Sequence, residues 1–184
     1  MPSLRFEQAL VYANSIHAAQ RRKGTDAPYI SHLLGVASLV IEHGGSEDQA
    51  IAALLHDAAE DQGGQARLID IRARFGPQVA DIVADCTDSY DAVKAEWRGR
   101  KEAYLAILGQ KPATSLLVSL ADKTHNAEAI LNDWHCVGDE IWSRFTGGRE
   151  GSHWYYRQVA MILGERLPGP LAQRLERAVK SFTA

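Results

Sequence analysis

The sequence predicts an all-α fold. Apolar residues recur at helical spacing along most of the chain, and no segment shows the sustained two-residue alternation of β-branched residues that marks a strand. Glycine and proline punctuation cuts the pattern into helix-sized pieces, about eight to ten of them. The first runs from Leu4 to Ala19, with Phe6, Ala9, Leu10, Ala13 and Ile16 along it, and the RRKGTDAP segment breaks it. The second spans about Ile30 to His43 and stops at Gly44-Gly45. Ser46-Glu-Asp-Gln49 then has the form of a capping box, opening a third helix that Gly63-Gly64 ends. A short helix over about Gln65 to Phe75 follows, and Gly76-Pro77 starts another that reaches about Asp88. Helices over about Asp91 to Leu108 and Pro112 to Asn132 are separated at Gly109. From Trp134 to Trp154 the period lapses, which predicts a long, partly ordered loop, and such loops are often functional. Trp154 to Arg166 and about Pro170 to Phe182 close the chain, divided by Leu-Pro-Gly-Pro.

Composition narrows the function classes. A chain of 184 residues with 46% hydrophobic content suits one globular domain over 1–184, and neither repeats nor low-complexity tracts interrupt it. The net charge of −3 comes with scattered Lys and Arg, so no face offers the basic cluster that a nucleic acid demands. Cys86 and Cys136 are far apart and outside any zinc-ligand spacing, which argues against a disulfide framework. No charged-then-apolar leader opens the sequence, and no apolar run approaches the roughly 18 residues of a membrane span. A soluble, cytoplasmic protein without membrane or nucleic-acid partners is expected. No residue pattern specifies an oligomeric state.

The chemistry concentrates in AALLHDAAEDQGG, residues 52–64. At about 100° per residue, Asp57, Glu60 and Asp61 fall within roughly 140° of His56, while Ile51, Leu54, Leu55, Ala58 and Ala59 take the opposite arc. A solvated face would mix signs, yet no Lys or Arg lies between Gln49 and Gln65 to offset these acids. Something cationic belongs there. Adjacent His and Asp suit a divalent ion, combining an imidazole nitrogen with a hard carboxylate oxygen. A second unusual acid is Asp122, in the middle of the apolar SLLVSLADKTHNAEAIL helix, where a buried carboxylate must be paired or bind metal. Asn126 lies one turn on and Ser119 nearby. Lys123 is the ordinary partner to weigh, but adjacent helix residues point about 100° apart, which favours metal ligation. His32, at the start of the second helix, reads by itself as a core or capping histidine.

Taken together, PYISH (28–32), LLHDAAED (54–61) and LADKTHN (120–126), with RRK at 21–23, resemble the HD-domain phosphohydrolases. Within that superfamily they resemble the alarmone hydrolases: the hydrolase domain of bifunctional Rel/SpoT enzymes and the free-standing small alarmone hydrolases. The likeness covers most of the chain in family order. It implies an HD-domain helical bundle in which His32, His56, Asp57 and Asp122 hold one divalent ion, typically manganese. It also implies that Glu60 and Asp61 are the catalytic acid pair. The substrate it implies is a small-molecule nucleotide, ppGpp or pppGpp, cleaved to pyrophosphate and GDP or GTP. Arg22 and Lys23 match the basic loop set against the purine, although RRK at a helix C-terminus also complements the helix dipole. Asn126 matches a ribose-facing asparagine, and Lys123 a phosphate contact. Arg149, Tyr155, Tyr156 and Arg157 are candidates for the distal phosphates.

Several positions depart from the family pattern. The loop between Lys23 and Pro28 differs in length, the family's EDT reads Glu60-Asp61-Gln62, Leu33 replaces a proline after His32, and Ala129 replaces a frequent threonine. None removes a metal ligand. All fall at the nucleotide pocket and leave adenosine alarmones or another phosphorylated nucleotide such as NADPH as alternative substrates. A nucleotidase acting on 5′-monophosphates would share the metal site but not the whole motif set. The rival of another class is a non-catalytic nucleotide-binding module, which would have no chemical reason to keep like charges at the spacing of Glu60 and Asp61. With no room for a synthetase domain, the chain is expected only to degrade.

Overall fold

The computed structural model describes residues 3–90 and 95–183. Among them are ten α-helices: α1 (Leu4–Ile16), α2 (Ile30–Glu42), α3 (Glu47–Leu55), α4 (Ala58–Asp61), α5 (Gly64–Phe75), α6 (Pro77–Cys86), α7 (Trp97–Leu108), α8 (Ala113–Val137), α9 (Gly148–Arg166) and α10 (Pro170–Thr183). A 3-10 segment over Gly138–Arg144 joins α8 to α9. The extended contacts among the described residues come to one isolated antiparallel bridge, Arg21 to Pro28, so the all-α expectation holds. None of the described helices is long and apolar enough to cross a membrane.

Local sequence accounts for the ends that position the site. The capping box at Ser46 forms in full, with Ser46 Oγ accepting from the Gln49 amide at 3.3 Å and Gln49 Oε1 accepting from the Ser46 amide at 2.8 Å. Every residue of α3 from Gln49 to Leu55 is buried, so this helix is a core rod rather than an amphipathic surface helix. Its fully buried Ile51, Leu54 and Leu55 each contribute about 1.5–3 kcal/mol by burial. The longest helix, α8, packs against α10, α2, α3, α6 and the 3-10 segment, with Leu116, Val118, Leu120, Ala121, Ala127 and Ile130 inside. An acid placed halfway along that axis is therefore set in the centre of the core.

α1 stops at Ile16, three residues short of Ala19, and three further boundaries differ in ways that matter to the site. The third helix does not run through to Gly63: α3 ends at Leu55, a turn at His56 and Asp57 intervenes, and α4 begins at Ala58. His56 Nδ1 donates at 2.8 Å to the Ala53 carbonyl, which a continuous helix reserves for the Asp57 amide. The helix expected from Asp91 begins at Trp97, where Glu96 caps it by accepting from the amides of Arg98 and Gly99, both at 2.7 Å; positions 91–94 lie outside the described residues. The loop expected over 134–154 is mostly helical, taken up by the end of α8, the 3-10 segment and the start of α9. Buried Trp142 supplies the reason, since its ring meets His153 at 4.7 Å, Phe182 at 5.8 Å and Phe145 at 6.3 Å between centroids. This packing across helices orders a segment whose own sequence has no period.

Candidate metal centre

Three elements bring four side chains to one point. His32 comes from the first turn of α2, His56 and Asp57 from the turn between α3 and α4, and Asp122 from the middle of α8. His56 Nε2 stands 3.0 Å from Asp57 Oδ2 and 3.5 Å from Asp122 Oδ1. His32 Nε2 stands 3.7 Å from Asp57 Oδ2 and 3.2 Å from Asp122 Oδ1. Adjacent ligands bound at about 2.0–2.2 Å would be separated by distances of this order. His32, His56 and Asp57 alone offer ligand atoms mutually within 4.8 Å, and Asp122 Oδ1 completes the ring from the α8 side.

The donor set fits a cation better than it fits itself. Both imidazoles are buried, and both Nε2 atoms lack a hydrogen-bond partner despite the carboxylates beside them. His56 Nδ1 is already donating to the Ala53 carbonyl, which leaves the Nε2 lone pair for an acceptor of electrons. Burial works against charging His56, but Asp57 and Asp122 outweigh it and lift the imidazole well above its ordinary range. Burial likewise opposes ionisation of Asp57, yet His56 and His32 hold its carboxyl well below the usual range. The cluster draws positive charge to itself, and a divalent ion supplies it where a proton otherwise would.

Asp122 corrects one sequence argument. Lys123 does reach it: Nζ donates to Asp122 Oδ2 at 2.6 Å, because the four-carbon stem can curl back across the 100° between neighbouring residues. Asn126 Nδ2 donates to Oδ1 at 2.6 Å, as the one-turn spacing suggests. Ser119 turns instead toward Cys86, whose Sγ lies 3.7 Å away. Burial again opposes ionisation of Asp122, and Lys123 with the two imidazoles outweighs it. The lysine thus neutralises one carboxylate oxygen, while the other still faces both histidines.

Beside the cluster lies the acid pair. Glu60 is half-buried, and its Oε2 accepts from the Asp88 amide at 3.3 Å; Asp61 is exposed and its Oδ2 accepts from Gln20 Nε2 at 2.9 Å. Gln20 is fixed in turn, since its Oε1 meets His17 Nδ1 and Gln62 Nε2, each at 2.6 Å. Tyr29 donates its phenol proton to Asp57 Oδ2 at 2.5 Å. Burial, then the charge of Asp57, raises the Tyr29 phenol far above its usual range, so it remains a donor. Tyr29 stands within PYISH, three residues before His32, but nothing in the sequence alone gives it this role. No local signal marks Gln20, because its partner Asp61 lies in another element. His125 stands within LADKTHN, also without a role there, and its Nδ1 is 3.0 Å from His32 Nδ1. Burial, then His32 and Arg22, pushes His125 down to about 4.

The residues matched to substrate divide into two groups. Arg22 donates to Asn126 Oδ1 at 2.8 Å and lies over the Tyr29 ring at 5.9 Å, and Lys23 lies over Phe145 at 5.6 Å, so the basic loop borders the cluster. Tyr155 is buried and Tyr156 half-buried, their rings 5.6 Å apart. Arg149 is paired with Asp139 at 2.8 Å on the surface, and Arg157 donates to the Thr183 carbonyl at the end of α10. No contact joins either arginine to the metal cluster among the described residues.

Fold and site together define an HD-type helical domain, and the HD-domain family signature matches residues 9–152. The chain belongs to that family, whose members are metal-dependent. Over 128 residues it is 34% identical to guanosine-3′,5′-bis(diphosphate) 3′-pyrophosphohydrolase MESH1 of Drosophila melanogaster, an alignment covering 68% of this chain and 69% of that one. The mouse protein of the same name is 35% identical over 178 residues, 95% of this chain and 90% of its own. Among solved structures, a metazoan orthologue of SpoT, described as hydrolysing ppGpp and acting in starvation responses, superposes with a TM-score of 0.80 at 25% identity, covering 98% of this chain and 96% of that one.

Proposed function

We propose that this chain is a manganese-dependent phosphohydrolase that removes the 3′-pyrophosphate of ppGpp or pppGpp, releasing pyrophosphate and GDP or GTP. The observation that carries this reading is the convergence of the buried Nε2 atoms of His32 and His56, neither of them in a hydrogen bond, on Asp57 and Asp122, with the Glu60–Asp61 acid pair alongside. The substrate is supported by relatives that bear the name of this reaction. An ion held by His32, His56, Asp57 and Asp122 would act as a Lewis acid on the phosphoryl group and lower the pKa of the attacking water.

The remaining work belongs to the chain's own groups. Hydrolysis forms one oxygen–phosphorus bond from water and breaks the bond from phosphorus to the 3′-oxygen, which must leave with a proton. Within the Glu60–Asp61 pair, one member as carboxylate orients or deprotonates the water and the other, as carboxylic acid, gives its proton to the 3′-oxygen. Gln20 holds Asp61 and the Asp88 amide holds Glu60, which restricts both carboxylates to defined orientations. Arg22 and Lys23 form the nucleoside side, suited to stacking on a purine, and Asn126 serves the ribose. Lys123 and the Tyr155–Tyr156 edge are assigned to the phosphates. Arg149 and Arg157 would first have to leave Asp139 and Thr183.

The test is product identity. Chelator-treated protein, resupplied with manganese and given ppGpp, is expected to yield GDP and pyrophosphate in equal amounts. Orthophosphate as the product, or turnover of ppApp or NADPH but not ppGpp, rules the assignment out.

A further inference from the structure

We propose that His125 is a positioning residue for the metal centre: its Nδ1 accepts the proton of His32 Nδ1 and so turns the His32 Nε2 lone pair toward Asp57 and Asp122. This rests on the reading of the four-donor cluster as a metal centre. The two Nδ1 atoms are 3.0 Å apart and the ring centroids 4.9 Å, with His32 fully buried. Two ring nitrogens at that separation share a single proton, because two lone pairs or two N–H groups face to face repel. If His125 donates, the His32 proton sits on Nε2, aimed at the Asp122 carboxylate, and His32 cannot ligate. If His32 donates, Nε2 is free to bind. Ligation by His32 and acceptance by His125 are therefore one choice.

A second observation shows that the backbone is built for this pair. A Cβ on Gly35 would lie 2.3 Å from both Cδ2 and Nε2 of the His125 side chain. Glycine inside a helix costs about 1 kcal/mol relative to alanine. At position 35 the bare backbone of α2 makes room for the ring that contacts His32 one turn earlier. His56 is anchored differently, since a backbone carbonyl can only accept and its polarity is fixed. An imidazole can do either, so His125 leaves the His32 tautomer reversible until the ion selects it.

Manganese affinity, measured on chelator-treated protein by the electron paramagnetic resonance of the free ion, separates the possibilities without any turnover. His125→Leu is expected to weaken binding about 10- to 100-fold. His125→Asn, whose amide oxygen can take the place of Nδ1, should recover most of the loss. Wild-type affinity in the leucine variant overturns the positioning role, as does an asparagine variant no better than leucine. A wild-type protein that binds no manganese sinks the metal centre itself, a distinct result. Zinc-loaded wild-type protein provides a check free of folding effects: nitrogen-15 spectra should show His32 protonated at Nδ1, and a proton on Nε2 overturns the assignment.

Discussion

Asp88 and Asp122 are both deeply buried carboxylates, their side chains 4% and 8% exposed, and the protein neutralises them in different ways. Asp88, at the start of the α6–α7 connection, receives Arg100 on both oxygens at 2.8 and 2.7 Å and Lys101 at 2.6 Å. Burial opposes its ionisation, but those cations hold its carboxyl below the ordinary range. Two cations face it, with Glu60 as the neighbouring acid, so charge is balanced within the group. Asp122 has Lys123 and Asn126, but Asp57 is brought in beside it with two imidazoles whose Nε2 atoms have no partner. Two acids then share one permanent cation. A buried carboxylate is thus no sign of a metal by itself; the sign is a shortage of positive charge surrounded by convergent lone pairs.

That contrast is testable first through Asp57. Replacing it with asparagine keeps a partner for Tyr29 but removes a charged ligand, so turnover of ppGpp is expected to fall on the order of 10³-fold or more, several kcal/mol of barrier. Manganese binding should disappear while the circular dichroism spectrum stays native. Binding at wild-type strength would show that the donors do not act together. Asp88→Ala should do the reverse. It strands Arg100 and Lys101 at side-chain exposures of 15% and 19%, and urea unfolding should register a loss of about 3–5 kcal/mol. Manganese affinity should hold, because Asp88 touches no ligand; parallel loss of affinity and stability would erase the distinction between the two sites.

The next effect is smaller and depends on pH. In the metal-free protein, the raised His56 contributes stability below its unfolded value, which is lost as pH rises through the folded value. Asp57 and Asp122, held low, contribute stability above their ordinary value, which is lost on acidification. An ion replaces the proton on His56, so protons compete with it at low pH. Manganese fixed at 100 times its neutral-pH dissociation constant stabilises by about 2.7 kcal/mol at neutral pH, and at that constant concentration thermal melts should show the gain growing from mildly acidic to mildly alkaline pH. A gain that is constant or larger in acid would place the ion elsewhere.

Most of the fold was legible because its signals are local: the Ser46 capping box, Pro77 at a helix start and the apolar period of α8 all formed as read. The failures share a cause. The break at His56–Asp57 comes from a side chain taking a backbone carbonyl, and the order in 134–154 comes from Trp142 packing onto α9 and α10. Neither leaves a periodic trace. Within the site, the charge imbalance around Asp57 is visible in the sequence, whereas the Lys123 bond is not, because the direction of a helix residue does not limit the reach of a four-carbon side chain. Gln20 carries no local signal, and His125 is visible in LADKTHN but without a role, because their partners Asp61 and His32 come from other elements.

Gln20 offers the finest discrimination, since it touches the acid pair but none of the four ligands. Its amide orientation is set on both sides: Oε1 meets His17 Nδ1 and Gln62 Nε2, leaving Nε2 to donate to Asp61. Burial lowers His17 despite the Gln20 contact, so that imidazole is a neutral donor. Gln20→Ala removes one hydrogen bond that orients an exposed carboxylate, and kcat is expected to drop roughly 5- to 20-fold, about 1–2 kcal/mol. Manganese affinity and KM should change little, because neither the ligands nor the basic loop loses a contact. Unchanged kcat would show that the Gln20 contact does not position Asp61 for the chemistry. A fall in manganese affinity would instead assign Asp61 to the ion, extending the charge-deficient site by one residue and making its contrast with Asp88 sharper still.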